Sequence, residues 1–313
     1  KEVNEYSDTT KLKIDVEYGD SGDPDNKAFE TTVPKLLGNG VDALIGAASS
    51  GVTKLFLDQA VGEGVIVFSP ANTSRDFTTW DDIGLYFRTA PSDLLQGEVL
   101  GNLIAEDGAK TLGIIYQNDA YGTGLDAAIT ETFEGTGGEV VESVSFNVGD
   151  AQFDAQVESI KAANPDAVAI VSFEQFKTIA PLLVNAGISA DKFYMVDGNL
   201  SDYGDDIPVS LEGAQGTKAG PALADDFTER LQASWTAQGN EEVKDFTYAG
   251  EAYDAVILVA LASLAAGSTE GADIEFGGRI KSLDPATRTG VVIVTAKSAG
   301  KKIFGLATLD VRF

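Results

Sequence analysis

The chain has 313 residues, 43% of them apolar, and a formal net charge of −27. That length admits two domains of ordinary size, and so acidic a surface repels nucleic acid and anionic membranes, so neither is expected as a partner. With no cysteine and no histidine, disulfides, thiol nucleophiles, Ser-His-Asp catalysis and the usual zinc sites are excluded, and no catalytic or metal residue is expected.

The chain opens on Lys1-Glu2-Val3-Asn4-Glu5, which reads as the end of a helix already under way, and no signal peptide or lipid anchor is read within the chain. Strands and helices then alternate with short connections. Strand-like runs fall at 12–18, 41–45, 65–69, 111–117, 140–146, 167–173 and 192–196. Helical stretches fall between them at 26–37, 53–63, 93–105, 122–133, 153–163 and 175–186, with longer ones at 225–238 and 246–266. Gly38, Gly64, Gly108 and Gly187 sit where helices need a C-cap. This is the pattern of an α/β protein with parallel strands. At Phe87-Arg88-Thr89-Ala90-Pro91-Ser92-Asp93 a short strand gives way to Pro91 and an Asp-capped helix, and a second α/β set starts at Thr111. The expected architecture is two doubly wound parallel-sheet lobes joined by hinge strands, with a ligand cleft between them. The first lobe takes residues 1–90 plus about 222–275, and the second takes 91–221 plus about 276–313.

Two later segments stand apart. Residues 249–267 carry Glu251 and Asp254 and are expected to form a largely buried helix rather than a membrane span. Residues 278–313 hold seven Lys and Arg against two acids, whereas the other 277 residues hold 15 basic against 47 acidic groups. Strand-like runs at 291–296 and 303–311 could close a lobe; a foreign C-terminal sequence is the competing explanation.

Two apolar strands run straight into hydroxyl-bearing turns that open helices. They are Leu44-Ile45-Gly46-Ala47-Ala48-Ser49-Ser50-Gly51-Val52-Thr53 and Val65-Ile66-Val67-Phe68-Ser69-Pro70-Ala71-Asn72-Thr73-Ser74. Such turns lie at the carboxyl ends of parallel strands, where ligands bind. A helix N-terminus there suits a carboxylate, and Ser50 and Thr73 could add hydroxyl donors. Capping alone, worth about 1 kcal/mol per helix, fits the same two residues. No GxGxxG or Walker A sequence occurs, so no cofactor is expected.

Eight short signatures follow one another in order: Leu44–Ser50 with Gly46, Ser69-Pro70-Ala71-Asn72-Thr73, the Phe87–Asp93 run, Asn118-Asp119-Ala120-Tyr121-Gly122, Pro165-Asp166-Ala167-Val168, Asn185-Ala186-Gly187-Ile188, Val196-Asp197-Gly198-Asn199 and Gly250-Glu251-Ala252-Tyr253-Asp254-Ala255. On these the chain, over about residues 1–267, resembles the substrate-binding proteins of branched-chain amino-acid ABC transporters, which are type I periplasmic binding proteins. The resemblance implies a hinged cleft that closes on a free amino acid or related small zwitterion without chemistry. It further implies a monomer outside the cytoplasm, in the periplasm or lipid-anchored at the outer face of the membrane, that delivers its ligand to an ABC permease.

Carried over by position, the resemblance puts Ser49 and Ser50 in one ligand turn, and Ala71 (through its carbonyl) and Thr73 in the other. It makes Asp197 the partner of the ligand ammonium, and Tyr121 and Tyr253 the aromatics lining the side-chain pocket. Phe173 matches only with a one-residue shift, and Glu174 beside it is a second candidate acid whose plain reading is a solvated helix-start residue. Three departures accompany these matches. The family's first strand and most of its first helix have no counterpart before Lys1, its C-terminal pattern is not found after about Gly271, and Asp197 is one methylene shorter than the Glu of some members. A ligand-sensing domain of a receptor or regulator is the alternative function; a carboxylate-pair hydrolase, which would turn over its ligand, is a third.

Overall fold

The computed structural model describes residues 1–220 and 222–271 in full, and the backbone of three further strands, Gly277–Leu283, Thr289–Ser298 and Lys301–Asp310. Two short helices, α1 (Glu2–Glu5) and α2 (Ser7–Thr10), precede α3 (Phe29–Gly38). Strands β1 (Ala43–Ile45), β2 (Ile66–Ser69) and β3 (Tyr86–Arg88) then pair in parallel in that order, with α4 (Ser50–Gly62) between the first two. Helix α5 (Asp93–Glu106) leads into a second set: β4 (Thr111–Gln117), α6 (Gly122–Gly135), β5 (Glu139–Phe146), α7 (Asp154–Ala163), β6 (Ala167–Val171), α8 (Phe176–Asn185), β7 (Phe193–Met195) and β8 (Gln215–Gly216). Its five strands are parallel in the order β5-β4-β6-β7-β8. Helices α9 (Asp225–Thr236) and α10 (Ala249–Ala266) follow.

Parallel strands need cover on both faces, and the second lobe supplies it by strict alternation. Leu112 and Ile114 of β4, with Ala167, Ala169 and Val171 of β6, pack on Leu100, Ile104, Leu125, Ile129 and Phe133 of α5 and α6. Ile115, Val168 and Ile170 face the other way, onto Val157 and Ile160 of α7 and Ile179 and Leu183 of α8. The first lobe buries Phe29, Val33, Val52, Phe56 and Leu57 of α3 and α4 against β1 and β2, and Ala255, Ala262 and Ala266 of α10 join that core. The chain therefore leaves the first core after β3 and rejoins it at α10, and in both sheets the turns that follow the parallel strands lie at their carboxyl ends.

Two expectations are corrected. Residues 12–18 form no strand, because a strand needs a neighbour to take its backbone groups and this run pairs with none among the described residues. The Asn4 side chain takes both the N–H and the carbonyl of Ile14 instead, at 2.7 Å each, while Val16 and Tyr18 are exposed. Helix α10 is not largely buried. One face enters the core and Leu261 and Leu264 lie exposed, although among the described residues it alone has the length and apolarity of a membrane span. The basic C-terminal segment does not extend either parallel sheet: β9 (Gly277–Leu283), β10 (Thr289–Ser298) and β11 (Lys301–Asp310) form an antiparallel sheet of their own, and β10 runs against α10.

Candidate functional site

The two hydroxyl-bearing turns of the first lobe are fastened to each other. Ser49, not Ser50, caps α4, accepting from the Val52 N–H at 3.3 Å, so the helix begins three residues earlier than its apolar pattern indicates. Ser50 is buried and its Oγ accepts from the Ser74 N–H at 3.2 Å. Ser69 donates to the Ala47 carbonyl at 2.7 Å and accepts from the Ala71 and Asn72 N–H groups. The buried Asn72 amide donates to the carbonyls of Ala47 and Ala48 at 3.0 and 2.9 Å, and its oxygen accepts from the Tyr86 hydroxyl. Arg88 donates to the carbonyls of Asn72 and Ser74 and to the Thr78 hydroxyl. Ala71 and Thr73 are thus presented on a rigid loop whose own polar groups are satisfied.

The second lobe meets this loop directly. Ser74 Oγ donates to the Ala120 carbonyl at 2.9 Å, and a Cβ on Gly51 would stand 2.9 Å from a carboxylate oxygen of Asp119. Asp119 opens α6 by accepting from the N–H groups of Tyr121 and Gly122 at 3.0 and 2.9 Å. Gly122 is obligatory there, since a Cβ would lie 2.0 Å from the Gln117 carbonyl oxygen. Tyr121 is thereby set at the cleft with its ring stacked on Phe173, centroids 5.0 Å apart.

Asp197, in the turn after β7, is gripped from both lobes. The Tyr121 hydroxyl donates to one carboxylate oxygen at 2.7 Å and the Tyr248 hydroxyl to the other at 2.5 Å. Tyr248 sits immediately before α10, whose apolar residues belong to the first lobe, in the left-handed backbone conformation (φ 63°). A non-glycine residue held there costs of order 1 kcal/mol, so the turn is fixed by its surroundings. Burial, and then the Asp197 charge, push both tyrosine hydroxyls well above their usual pKa, which keeps them protonated as donors. A carboxylate has about four acceptor positions, so two tyrosines leave Asp197 capacity for a further donor. Gly198 beside it permits the close approach: a Cβ would meet the Ser172 carbonyl at 2.8 Å and the Phe173 ring at 3.0 Å.

Asp93, the first residue of α5, completes the cluster. Its N–H donates to the Thr73 carbonyl at 2.8 Å, and its side chain is fully buried with neither oxygen meeting a well-directed donor. Burial, reinforced by Asp197, pushes its carboxyl pKa up to about 8, against smaller opposing pulls from the Thr73 hydroxyl and Arg88.

The structure therefore brings Thr73, Tyr121, Phe173 and Asp197 to one place, with Ser50 bonded to the next residue of the same loop. Ser49 is a helix cap. Tyr253 is elsewhere: its hydroxyl bonds Glu2 and its ring stands edge-on to Phe227 at 5.2 Å, with Arg230 alongside. Glu174 is exposed and pairs with Lys177 at 2.7 Å. Sequence reasoning missed Tyr248 and saw Asp93 only as a helix cap; an acid at a helix start and a tyrosine ahead of a helix carry no pattern that distinguishes them. Two surface hollows of about 580 and 360 Å³ lie at the α8–β7 loop and between α3 and α4, and share no residue with this cluster.

Residues 1–279 match the family described as periplasmic binding protein. The chain belongs to the periplasmic binding protein family. It is 32% identical over 147 residues to the leucine-, isoleucine-, valine-, threonine- and alanine-binding protein of Pseudomonas aeruginosa, a stretch covering 47% of this chain and 39% of that one. It is 26% identical over 235 residues to the chemotactic signal transduction system substrate-binding protein BasB of Halobacterium salinarum, covering 71% and 52%. The chain thus spans about half or less of the curated relatives it matches. Among solved structures, the leucine-binding protein LivK of Thermotoga maritima superposes with a TM-score of 0.74 at 19% identity, covering 97% of this chain and 91% of the other. A solute-binding protein of R. palustris in complex with benzoate gives 0.65 at 20% identity, covering 91% and 83%. These likenesses show the fold.

Proposed function

We propose that this binding protein captures a free amino acid, of the branched-chain type or a related small zwitterion, by closing its two lobes over it. The observation that carries the reading is Asp197, held by a tyrosine hydroxyl from each lobe beside the Thr73 loop. The α-carboxylate goes to Ser50 and Thr73, where α4 offers backbone N–H groups and the positive end of its dipole, and the Ala71 carbonyl accepts from the ammonium. The ammonium goes to Asp197, and Tyr121 and Phe173 supply the apolar wall. No bond is made or broken. The leucine-binding relatives support an amino acid over the benzoate of another neighbour, because a benzoate would bring no positive charge to Asp197.

On this reading the protein works outside the cytoplasm as a monomer and hands its ligand to the permease of an ABC importer. The similarity to BasB supports a second use of the same capture step, as the ligand-reading part of a chemotactic system. Thermal melting against amino acids, amides, urea and aromatic acids tests the ligand class. A ligand at one hundred times its Kd is expected to add about 2.7 kcal/mol of stability, a plain upward shift of the melt. A shift with benzoates and none with any amino acid would overturn the proposal.

A further inference from the structure

The start of α6 meets the first lobe's ligand turns along one side of the cleft, and Asp119 is the fixed point of that contact. One of its carboxylate oxygens accepts from the Tyr121 and Gly122 N–H groups. The other, Oδ2, accepts from the Gln117 amide at 2.9 Å, so the side chain is not free to swing away. Gly51, in the first turn of α4, lies against Oδ2. A Cβ on Gly51 would stand 2.9 Å from that oxygen and 3.3 Å from Pro24 Cγ, and real Cβ atoms essentially never come within 3.0 Å of such a neighbour. Pro24 sits in a braced loop: Asp23 accepts from the Asp25 and Asn26 N–H groups at 2.8 Å each, and Asn26 accepts from the Ala28 N–H at 3.0 Å. Gly51 is not in the left-handed backbone region, and a helix favours alanine over glycine. What glycine provides there is room for the other lobe. Ser74 supplies a hydrogen bond at the same contact. Its N–H donates to Ser50 Oγ at 3.2 Å, and its own Oγ donates to the Ala120 carbonyl, next to Asp119, at 2.9 Å. The Pro24 loop also meets the second lobe in the turn after β5, where a Cβ on Gly149 would stand 2.8 Å from Asp25 Oδ1.

We propose that Gly51 and Ser74 are the latch of the cleft: the missing side chain at 51 lets the lobes close to contact, and the Ser74 hydroxyl holds them there. The inference rests on the reading above, capture by lobe closure, and adds the residues that set how long the captured ligand stays. Both are positioning residues, which act on the approach of the lobes rather than on the ligand. A ligand enters while the lobes are apart and leaves only when they part again. Changes at the latch therefore act on dissociation far more than on association.

The test measures association and dissociation rates of radiolabelled L-leucine, L-isoleucine, L-valine and L-alanine, the bound label being chased with excess unlabelled amino acid. Gly51→Ala is expected to speed dissociation by about tenfold or more through overpacking, and Ser74→Ala by about fivefold through the lost hydrogen bond. Association should change by less than about twofold in both. Asp119→Ser keeps an oxygen to cap α6 and withdraws the one that faces Gly51. Added to Gly51→Ala, it should bring dissociation back to within about threefold of Asp119→Ser alone, a rescue that local damage to the α4 turn would not show. Gly51→Ala dissociating within about twofold of the wild type, or as fast with Asp119→Ser as without it, would overturn the inference alone. Should Gly51→Ala not fold, a wild-type dissociation rate in Ser74→Ala suffices to overturn it. Failure of the wild type to bind any of the four amino acids would overturn the reading beneath it.

Discussion

A carboxyl group buried beside another acid is stabilised by its proton, and Asp93 makes this a measurable property of the protein without ligand. In the unfolded chain an Asp loses its proton near pH 3.9, whereas in the native state Asp93 keeps it to about 8. Between those values the native state binds more protons than the unfolded one, so stability falls as pH rises, by up to about 1.4 kcal/mol per pH unit, and levels off above. Asp119, Asp126, Glu251 and Asp254 are raised by burial too and pull the same way. Urea denaturation from pH 5 to pH 8 should show that decline, and Asp93→Asn should shallow it by up to about 1.4 kcal/mol per unit. An unchanged slope in the variant would mean that Asp93 is ionised in the folded protein. At this scale the sequence was a partial guide. Asp197 and Tyr121 sit in short turns whose neighbours, Gly198 and Gly122, are required by close backbone approaches, so the signatures that carry the family resemblance pick them out. Tyr248 and Tyr253 lie five residues apart around one helix start, and only the direction in which α10 leaves its left-handed turn sends the first to Asp197 and the second to Glu2.

Among elements, the contact of α5 with α6 is the closest in the cleft's supporting layer. A Cβ on Gly97 would stand 2.4 Å from the Ala128 Cβ and 2.8 Å from its backbone carbonyl carbon, and one on Gly101 would stand 2.8 Å from the Thr132 Cβ. These glycines let α5 settle onto α6, and α5 begins at Asp93 while α6 begins beside Tyr121. In an exposed helix Gly→Ala gains about 1 kcal/mol. Here Gly97→Ala is expected to destabilise by about 1–3 kcal/mol through overpacking, seen as a lower melting temperature. A rise would show that the helices can separate freely. Elements with a full apolar period, such as β4 and α6, were legible in the sequence within a residue or two. The run at 12–18 was not, because alternation marks a strand only when a neighbour pairs with it. The early start of α4 was hidden for a different reason: Ser50 and Gly51 are small and not apolar, so the sequence marks a helix only from Thr53.

At the scale of the molecule, the site exists only because the chain crosses between lobes and back. Tyr248 reaches Asp197 from the first lobe's side, Ser74 bonds Ala120 across the cleft, and Thr89 in the crossing after β3 bonds the Glu251 carbonyl of α10 at 2.9 Å. Such contacts join residues from 46 to 162 positions apart, beyond the reach of any local pattern; the two-lobe expectation came from the restart of the strand–helix alternation at Thr111, after the Phe87–Asp93 boundary, and the eight signatures agreed with it. Tyr121 and Tyr248 meet at Asp197, and the proposed function stands on Asp197 as the acid that receives the ligand ammonium there. The most direct test is calorimetric titration of the wild type and Asp197→Asn with the amino acid that most raises the wild-type melting temperature. Loss of a buried charge partner predicts affinity weaker by about 30-fold or more, with the variant still melting cooperatively. Affinity within about twofold of the wild type would contradict the account.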